Sequence, residues 1–422
     1  LELEAGAALH IPKGMWHRIS SAAGTLAFSV RVAERDVEPH LDRVIVLFRY
    51  LQDKDVFENI YADSGGATTT ASAGAQSLVS AGVVAVVGAA GSDASIGANS
   101  VLAPAGIPMI SFASTSPTLS DATTHPHFFR VVPSDYLQGQ ALADVVEGAG
   151  YSNTAIIAQN DAYGAGLADG FATNFDGEIC ARYDFDQTNF DALVDTEAAI
   201  TGVAAAGDCD SVVFVTYPDA GAQFIGAMYV AGVSLPYFGG DGMAGIASLS
   251  AYADSGLANG MVTTSPRAGS TSYDGDFPTR CAADITTTTN EAGDEVSTGC
   301  GAGIYTSEAY DAVMMAAAAA KMENGANMAT HIAMVGSGDG FPGASGTHVF
   351  QANGDVTGSG YDVCTFQIVP TYGDYFNCMQ AWDGSLSDVA FAGQTVKIGY
   401  MGDQSSAAIA GLWPSFMTAG AL

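Results

Sequence analysis

The stretch Gly88–Leu119, GAAGSDASIGANSVLAPAGIPMISFASTSPTL, decides how the chain is read. The apolar run Val83–Val87 enters it and stops at Gly88. A turn of small residues follows, carrying Ser92, Asp93 and Ser95, then a helix of low bulk ending near Ala105-Gly106. A short strand, Ile107–Ser111, runs into a second polar turn, Ala113-Ser114-Thr115-Ser116-Pro117. Two successive strands thus deliver hydroxyls and backbone amides at their carboxyl ends. In an open α/β sheet, ligands bind outside those ends. Small residues let the backbone approach a ligand, and a helix N-terminus favours an anionic group. By itself the stretch is equally an ordinary strand–helix–strand unit with a serine-rich loop.

Outward from it the alternation continues. Val56–Tyr61 reads as a strand and Thr68–Ala81 as a helix closed by Gly82. Phe128–Val132 reads as a strand, and Tyr136–Glu147 as a helix with Asp135 as its N-cap. Thr154–Ala158 is the next strand, its turn carrying Asp161 and Tyr163, with a helix from Leu167. Strands follow at Glu178–Tyr183, Ser211–Val215, Pro236–Gly240 and Met261–Thr264, with helices at Ala192–Ala205 and Ala222–Ala231. This alternation argues for parallel, doubly wound sheets. Ser307–Asp311 begins another helix. Asn353-Gly354-Asp355 reads as a hairpin turn after His348–Phe350, with Tyr361–Val369 as the return strand.

A chain of 422 residues exceeds what one core usually holds, so two or more lobes are expected. The net charge of −32 makes nucleic acid or an anionic membrane surface a poor partner. No apolar run reaches the ~18 residues of a membrane span. The opening Leu1–Glu4 lacks the basic start of a signal peptide. Six cysteines fall as three neighbouring pairs, Cys180/Cys209, Cys281/Cys300 and Cys364/Cys378, without zinc spacing. Such local pairing suggests disulfides and an oxidising compartment, with six buried thiols as the alternative.

The blocks from about Val56 to Phe366, taken in order, resemble the type I periplasmic solute-binding proteins, specifically the leucine/isoleucine/valine-binding group of ABC transporters. The spacing between the turns at Ser92 and Thr115 matches that group without a gap. The resemblance implies two doubly wound parallel-sheet lobes joined by a hinge, closing on a ligand. It implies capture of a small amino acid, aliphatic or branched-chain favoured, and delivery to a membrane permease, with a periplasmic or extracellular location and no cofactor. By position, Ser92 and Thr115 match the hydroxyls that hold the ligand carboxylate, with Ser114 in the same turn. Ala113 would offer backbone groups, and Asp241, where many relatives have Glu, would pair with the ammonium. Tyr163 and Tyr217 would close over the ligand from lobe two, and Trp413 could cap it.

The ends depart from the family pattern. Gly6–His17 resembles the second motif of the cupins and Leu26–Val32 its following strand, but the first motif is absent. A metal needs about three protein ligands, so His17 alone makes no metalloenzyme. Thr395–Asp403 looks like the family's first strand, which suggests circular permutation or the start of a second copy. In the permuted reading Val396–Tyr400 lies between, or beside, Val56–Tyr61 and Val83–Val87. The expected division is 1–54 as cupin-like remnant and connector; 55–134, 266–350 and 395–422 as lobe one; and 135–265 with 351–394 as lobe two. Two other functions remain: a ligand-sensing receptor ectodomain, and a binder of an amide, urea or carboxylate. No GxSxG, HExxH or Walker motif supports an enzyme.

Overall fold

Short, fully apolar runs separated by small-residue helices build two sheets, each covered on both faces. The computed structural model describes residues 25–29, 58–244, 257–267, 285–289, 295–299, 305–322, 325–369 and 373–388. The first sheet begins with β1 (Thr25–Ser29) and β2 (Glu58–Ala62). Helix α1 (Thr68–Ala81) leads to β3 (Val86–Val87), and α2 (Ser92–Leu102) to β4 (Met109–Ser111). A 3-10 turn, Pro117–Ser120, precedes β5 (Phe128–Arg130). The order is β2-β1-β3-β4-β5, all parallel.

The chain then crosses through Pro133 and Ser134 into α3 (Asp135–Gly148) and β6 (Asn153–Gln159). Helix α4 (Ala162–Asn174), β7 (Glu178–Phe185), α5 (Ala192–Ala206) and β8 (Ser211–Val215) follow. Next come α6 (Pro218–Val230), β9 (Tyr237–Gly239), a 3-10 turn at Asp241–Ala244, and β10 (Val262–Pro266). The hairpin β11 (Ile285–Thr289) and β12 (Glu295–Gly299) forms a separate two-stranded sheet. The chain returns to the first sheet with α7 (Thr306–Ala320), α8 (Met328–Val335) and the pair β13 (Phe341–Pro342) and β14 (Thr347–His348). A third crossing leads to β15 (Tyr361–Val369), β16 (Gly373–Trp382) and β17 (Leu386–Asp388). The second sheet has the order β17-β16-β15-β10-β9-β8-β6-β7, parallel from β10 to β7 and antiparallel from β10 to β17.

Strand side chains alternate faces, and in strands such as β3 and β8 both faces are buried, which is why those runs are almost wholly apolar. In the first sheet Val87, Ile110 and Phe129 pack on α7 and α8, while Val86, Met109 and Phe128 pack on α1 and α2. In the second, Ile157, Val212 and Phe214 meet α5 and α6, and Ile156, Val213 and Val215 meet α3 and α4. Helices α3 and α4 approach closely because Gly139 lies on Gly170; a Cβ on Gly139 would overlap that backbone. No helix among the described residues is long and apolar enough to cross a membrane.

Several expectations need correction. The place between β2 and β3 is held by β1, while Val396–Tyr400, expected there or beside those strands, lies outside the described residues. A strand spanning residues of the supposed N-terminal remnant therefore belongs to the first sheet, and the vacancy that argued for permutation is filled. Residues 389–422, with Trp413, lie outside the described residues, as does His17. Helix α4 starts at Ala162 rather than Leu167, because Asp161 caps it by accepting from Gly164 N–H at 2.7 Å. The cap of α3 is Ser134, not Asp135. The turn at Asn353-Gly354-Asp355 joins no hairpin: β14 pairs with β13, and β15 joins the other sheet. The bridges Cys180–Cys209 and Cys364–Cys378 are formed; Cys281–Cys300 lies outside the described residues.

Candidate ligand-binding site

The carboxyl ends of β3 and β4 feed the two polar turns, and hydrogen bonds between the turns make them one surface. Ser111 Oγ donates to Ala89 O at 2.6 Å and accepts from Ser114 N–H at 2.9 Å. Ser114 Oγ faces Ser95 Oγ at 2.8 Å and the carbonyls of Ala89 and Ala90, so its hydroxyl is engaged inside the first lobe. Ser92 Oγ accepts from Ser116 N–H at 3.1 Å, which leaves its own proton to donate. Ala113 is half-buried. The Thr115 hydroxyl is buried with no hydrogen-bond partner, while its carbonyl accepts from Asp135 N–H at 2.8 Å.

Facing this surface are the amino end of α3, the amino end of α4 and the 3-10 turn after β9. Asp241 is buried and takes hydroxyl hydrogen bonds from two directions. Tyr163 donates to Oδ1 at 2.9 Å, and Tyr305, just before α7, donates to Oδ2. The Tyr163 oxygen accepts in turn from Gly242 N–H at 3.0 Å. Tyr217 stacks on Tyr163 with ring centroids 5.7 Å apart, and is 40% exposed, so it forms a rim. Tyr163, expected to close over a ligand, also fixes Asp241 through its hydroxyl.

Asp135 is the residue that sequence reasoning missed. It is fully buried, and neither carboxylate oxygen has a hydrogen-bond partner. Burial first, then the nearby Asp241 charge, hold its carboxyl well above the usual carboxylate range; the Thr115 hydroxyl and Arg130 oppose this. Burial also raises Asp241, against the hydrogen bonds from Tyr305, Tyr163 and Gln138. Asp161 is raised mainly by burial, with Asp93 adding to it. The signal for Asp135 was in the sequence. Ser134 and Asp135 are both cap-forming residues, and a helix has one N-cap, so one of the two was surplus. Gln138, one turn on, donates to the Thr264 carbonyl at 3.0 Å and leaves its buried Oε1 without a partner. Tyr305 carried no motif; its approach depends on the second crossing.

The two lobes touch around this site. Asp93 Oδ1, in α2, accepts from Ala162 N–H at the start of α4 at 3.0 Å. Gly166 in α4 lies against Pro117, so close that a Cβ there would stand 2.7 Å from Pro117 Cδ. The site thus sets the Ser92 and Thr115 hydroxyls on one side and two buried carboxylates on the other. Chemically, the first side suits an anion and the second a cation. Among the described residues, no group of three or more His, Cys, Asp or Glu side chains could hold a metal ion.

Residues 50–368 match the model of the receptor family ligand binding region. A Cullin alpha solenoid domain model matches residues 22–64, a span whose described residues include the parallel strands β1 and β2. Metabotropic glutamate receptor 6 of Oryctolagus cuniculus is 45% identical over 89 residues, covering 21% of this chain and 10% of the receptor. Metabotropic glutamate receptor 8 of Homo sapiens is 42% identical over 86 residues, 20% of this chain and 10% of that receptor. The matched part thus spans about a tenth of the length of these relatives. Among solved structures, the leucine-binding protein LivK of Thermotoga maritima superposes with a TM-score of 0.66 at 18% identity, covering 84% of this chain and 97% of that one. LivJ of Streptococcus pneumoniae, solved in complex with isoleucine, gives 0.66 at 21% identity, covering 84% and 99%. At these identities the structural likenesses speak for the fold alone.

Proposed function

The chain belongs to the receptor family of ligand-binding regions, and on that premise we propose that it captures a free amino acid by its α-ammonium and α-carboxylate groups. The observation that carries this is the buried pair Asp135 and Asp241 facing the buried Thr115 hydroxyl. Buried unpaired carboxylates are costly unless a cation joins them. A ligand ammonium would join them, and its carboxylate would reach the Ser92 hydroxyl and the hydroxyl and N–H of Thr115. Ser114, whose hydroxyl, N–H and carbonyl are all engaged within the first lobe, would shape the turn without touching the ligand.

A neutral side chain fits better than an acidic one. An acidic side chain needs its own cation, and the base whose charge reaches Asp135 is Arg130, which is engaged elsewhere. An aliphatic amino acid is therefore the leading ligand, with the Tyr163–Tyr217 pair beside it and Trp413 as a further proposed cap. The two disulfides support an extracytoplasmic location. Delivery to an ABC transporter permease belongs to the same proposal. A receptor ectodomain is the second reading, favoured by the sequence identity to glutamate receptors.

Calorimetry against aliphatic, acidic and basic amino acids, their amides, urea and simple carboxylates tests the proposal. Aliphatic amino acids should bind, and Asp241→Ala should weaken them by about two orders of magnitude or more with the fold retained. Binding of glutamate in place of aliphatic amino acids would favour the receptor reading. Binding of amides or carboxylates but no α-amino acid would overturn the ammonium role of both aspartates.

A further inference from the structure

The carboxylate-facing turn is held from behind by a buried guanidinium. Arg130, the last residue of β5, is fully buried. Its Nη1 donates to the carbonyls of Ser114 at 3.2 Å and Ser116 at 3.0 Å, the residues on either side of Thr115. Its Nη2 donates to Ser120 Oγ at 2.7 Å, in the 3-10 turn that follows. Its Nε donates to Asp355 Oδ1 at 2.7 Å.

Asp355 comes from the third crossing between the lobes, and the turn that carries it is seated directly on β5. Gly354 O accepts from Arg130 N–H at 3.1 Å. Gly354 has a φ of 87°, and a Cβ there would overlap the Phe128 carbonyl, so only glycine fits. Asn353 Nδ2 donates to Asp355 Oδ2 at 2.9 Å and to Ser120 O at 3.0 Å. The guanidinium therefore has its partners on both the turn and the crossing.

A loop that binds a carboxylate must present donors and turn its carbonyls away. Two carbonyls flanking Thr115 would repel an anion if they faced the cleft. The planar fork of an arginine reaches acceptors that are spread apart in fixed directions, whereas a lysine offers its donors from a single nitrogen. We propose that Arg130 is a positioning residue for ligand binding. It gathers the carbonyls of Ser114 and Ser116 on the far side of the turn, leaving the Thr115 hydroxyl and N–H for the ligand carboxylate, and Asp355 fixes it from the crossing. This rests on the amino-acid reading of the site.

The test compares wild type, Arg130→Lys and Asp355→Asn by calorimetry. The ligands are the amino acid that binds wild type best and its carboxamide, which keeps the ammonium and lacks the anionic charge. Both variants should lose about tenfold or more in affinity for the amino acid and less than about threefold for the amide. Circular dichroism and the melting transition report the fold. If Arg130→Lys does not fold, Asp355→Asn and Ser120→Ala, which removes one guanidinium partner, decide the question. Equal weakening of both ligands, or no weakening, overturns the positioning role while leaving the amino-acid reading intact. Failure of wild type to bind any amino acid overturns both.

Discussion

At the scale of single residues, several buried acids have their carboxyls raised by burial. Glu308, in the first turn of α7, is the clearest case outside the cleft. It is 6% exposed and accepts from the Ser307 hydroxyl at 3.0 Å. Burial pushes its carboxyl up to about 7, with the Asp311 charge adding to this and His348 opposing it. Asp311 is itself tied to Ala344 N–H at 2.6 Å, Ser345 N–H at 2.8 Å and His348 Nε2 at 2.8 Å. A folded value above the unfolded one means the native state holds the proton more tightly. Its stabilising contribution is complete below the unfolded pKa and is lost as pH rises through about 7. A shift of this size corresponds to on the order of 3 kcal/mol. Melting temperatures measured from pH 4.5 to 8 should therefore fall with rising pH, and Glu308→Gln should flatten that slope. An unchanged slope would show that Glu308 is ionised in the native protein. Asp135 and Asp241 have the same sign, so the ligand-free protein should gain stability in acid while binding weakens as the two carboxylates protonate.

At the scale of elements, closure depends on how α4 approaches the first lobe. The helix starts five residues earlier than its apolar spacing indicated, which places Tyr163 in its first turn. The same early start brings Ala162 N–H to Asp93 and Gly166 to Pro117. A methyl group at Gly166 would meet Pro117 in this closed arrangement, whereas separated lobes would accept it. Alanine is also the better helix former by roughly 1 kcal/mol. Gly166→Ala should therefore leave ligand-free stability equal or higher while lowering apparent affinity by about tenfold or more, because it disfavours the binding-competent state. Small-angle scattering checks this: wild type should contract with ligand and the variant should stay expanded. A variant that binds and contracts like wild type would mean that α4 and the 117–120 turn do not limit closure.

At the scale of the whole molecule, 45 acidic residues face 13 basic ones. Such an excess repels itself and opposes the compact state. Salt shortens the reach of that repulsion, from about 10 Å at 0.1 M to about 3 Å at 1 M. Raising sodium chloride should therefore raise the melting temperature, by roughly 2–4 °C for each kcal/mol of repulsion removed. An uncharged osmolyte at equal osmolality serves as the control, and a flat response to salt against it would mean that the acidic surface carries no stability cost. The disulfides act at this scale as well. Cys180–Cys209 ties edge strand β7 to the segment entering β8, and Cys364–Cys378 ties β15 to β16.

The sequence by itself determined the two-lobed α/β class, because runs such as Ser211–Val215 are apolar on both faces and alternate with helices. It also determined the polar turns at Ser92 and Thr115, because serine and threonine clusters at strand ends are local features. It picked out Asp241 and Tyr163 one by one, but not the hydrogen bond from the Tyr163 hydroxyl to Asp241, which joins residues far apart in sequence. Three things were decided only by tertiary structure. The first is the strand between β2 and β3, since parallel pairing joins segments far apart in sequence and leaves no local mark. The second is the burial of Asp135, since a capping residue and a buried carboxylate look alike until α3 is seated beside Thr115. The third is the Arg130–Asp355 pair, 225 residues apart, which forms because two crossings between the lobes meet behind the turn that faces the ligand.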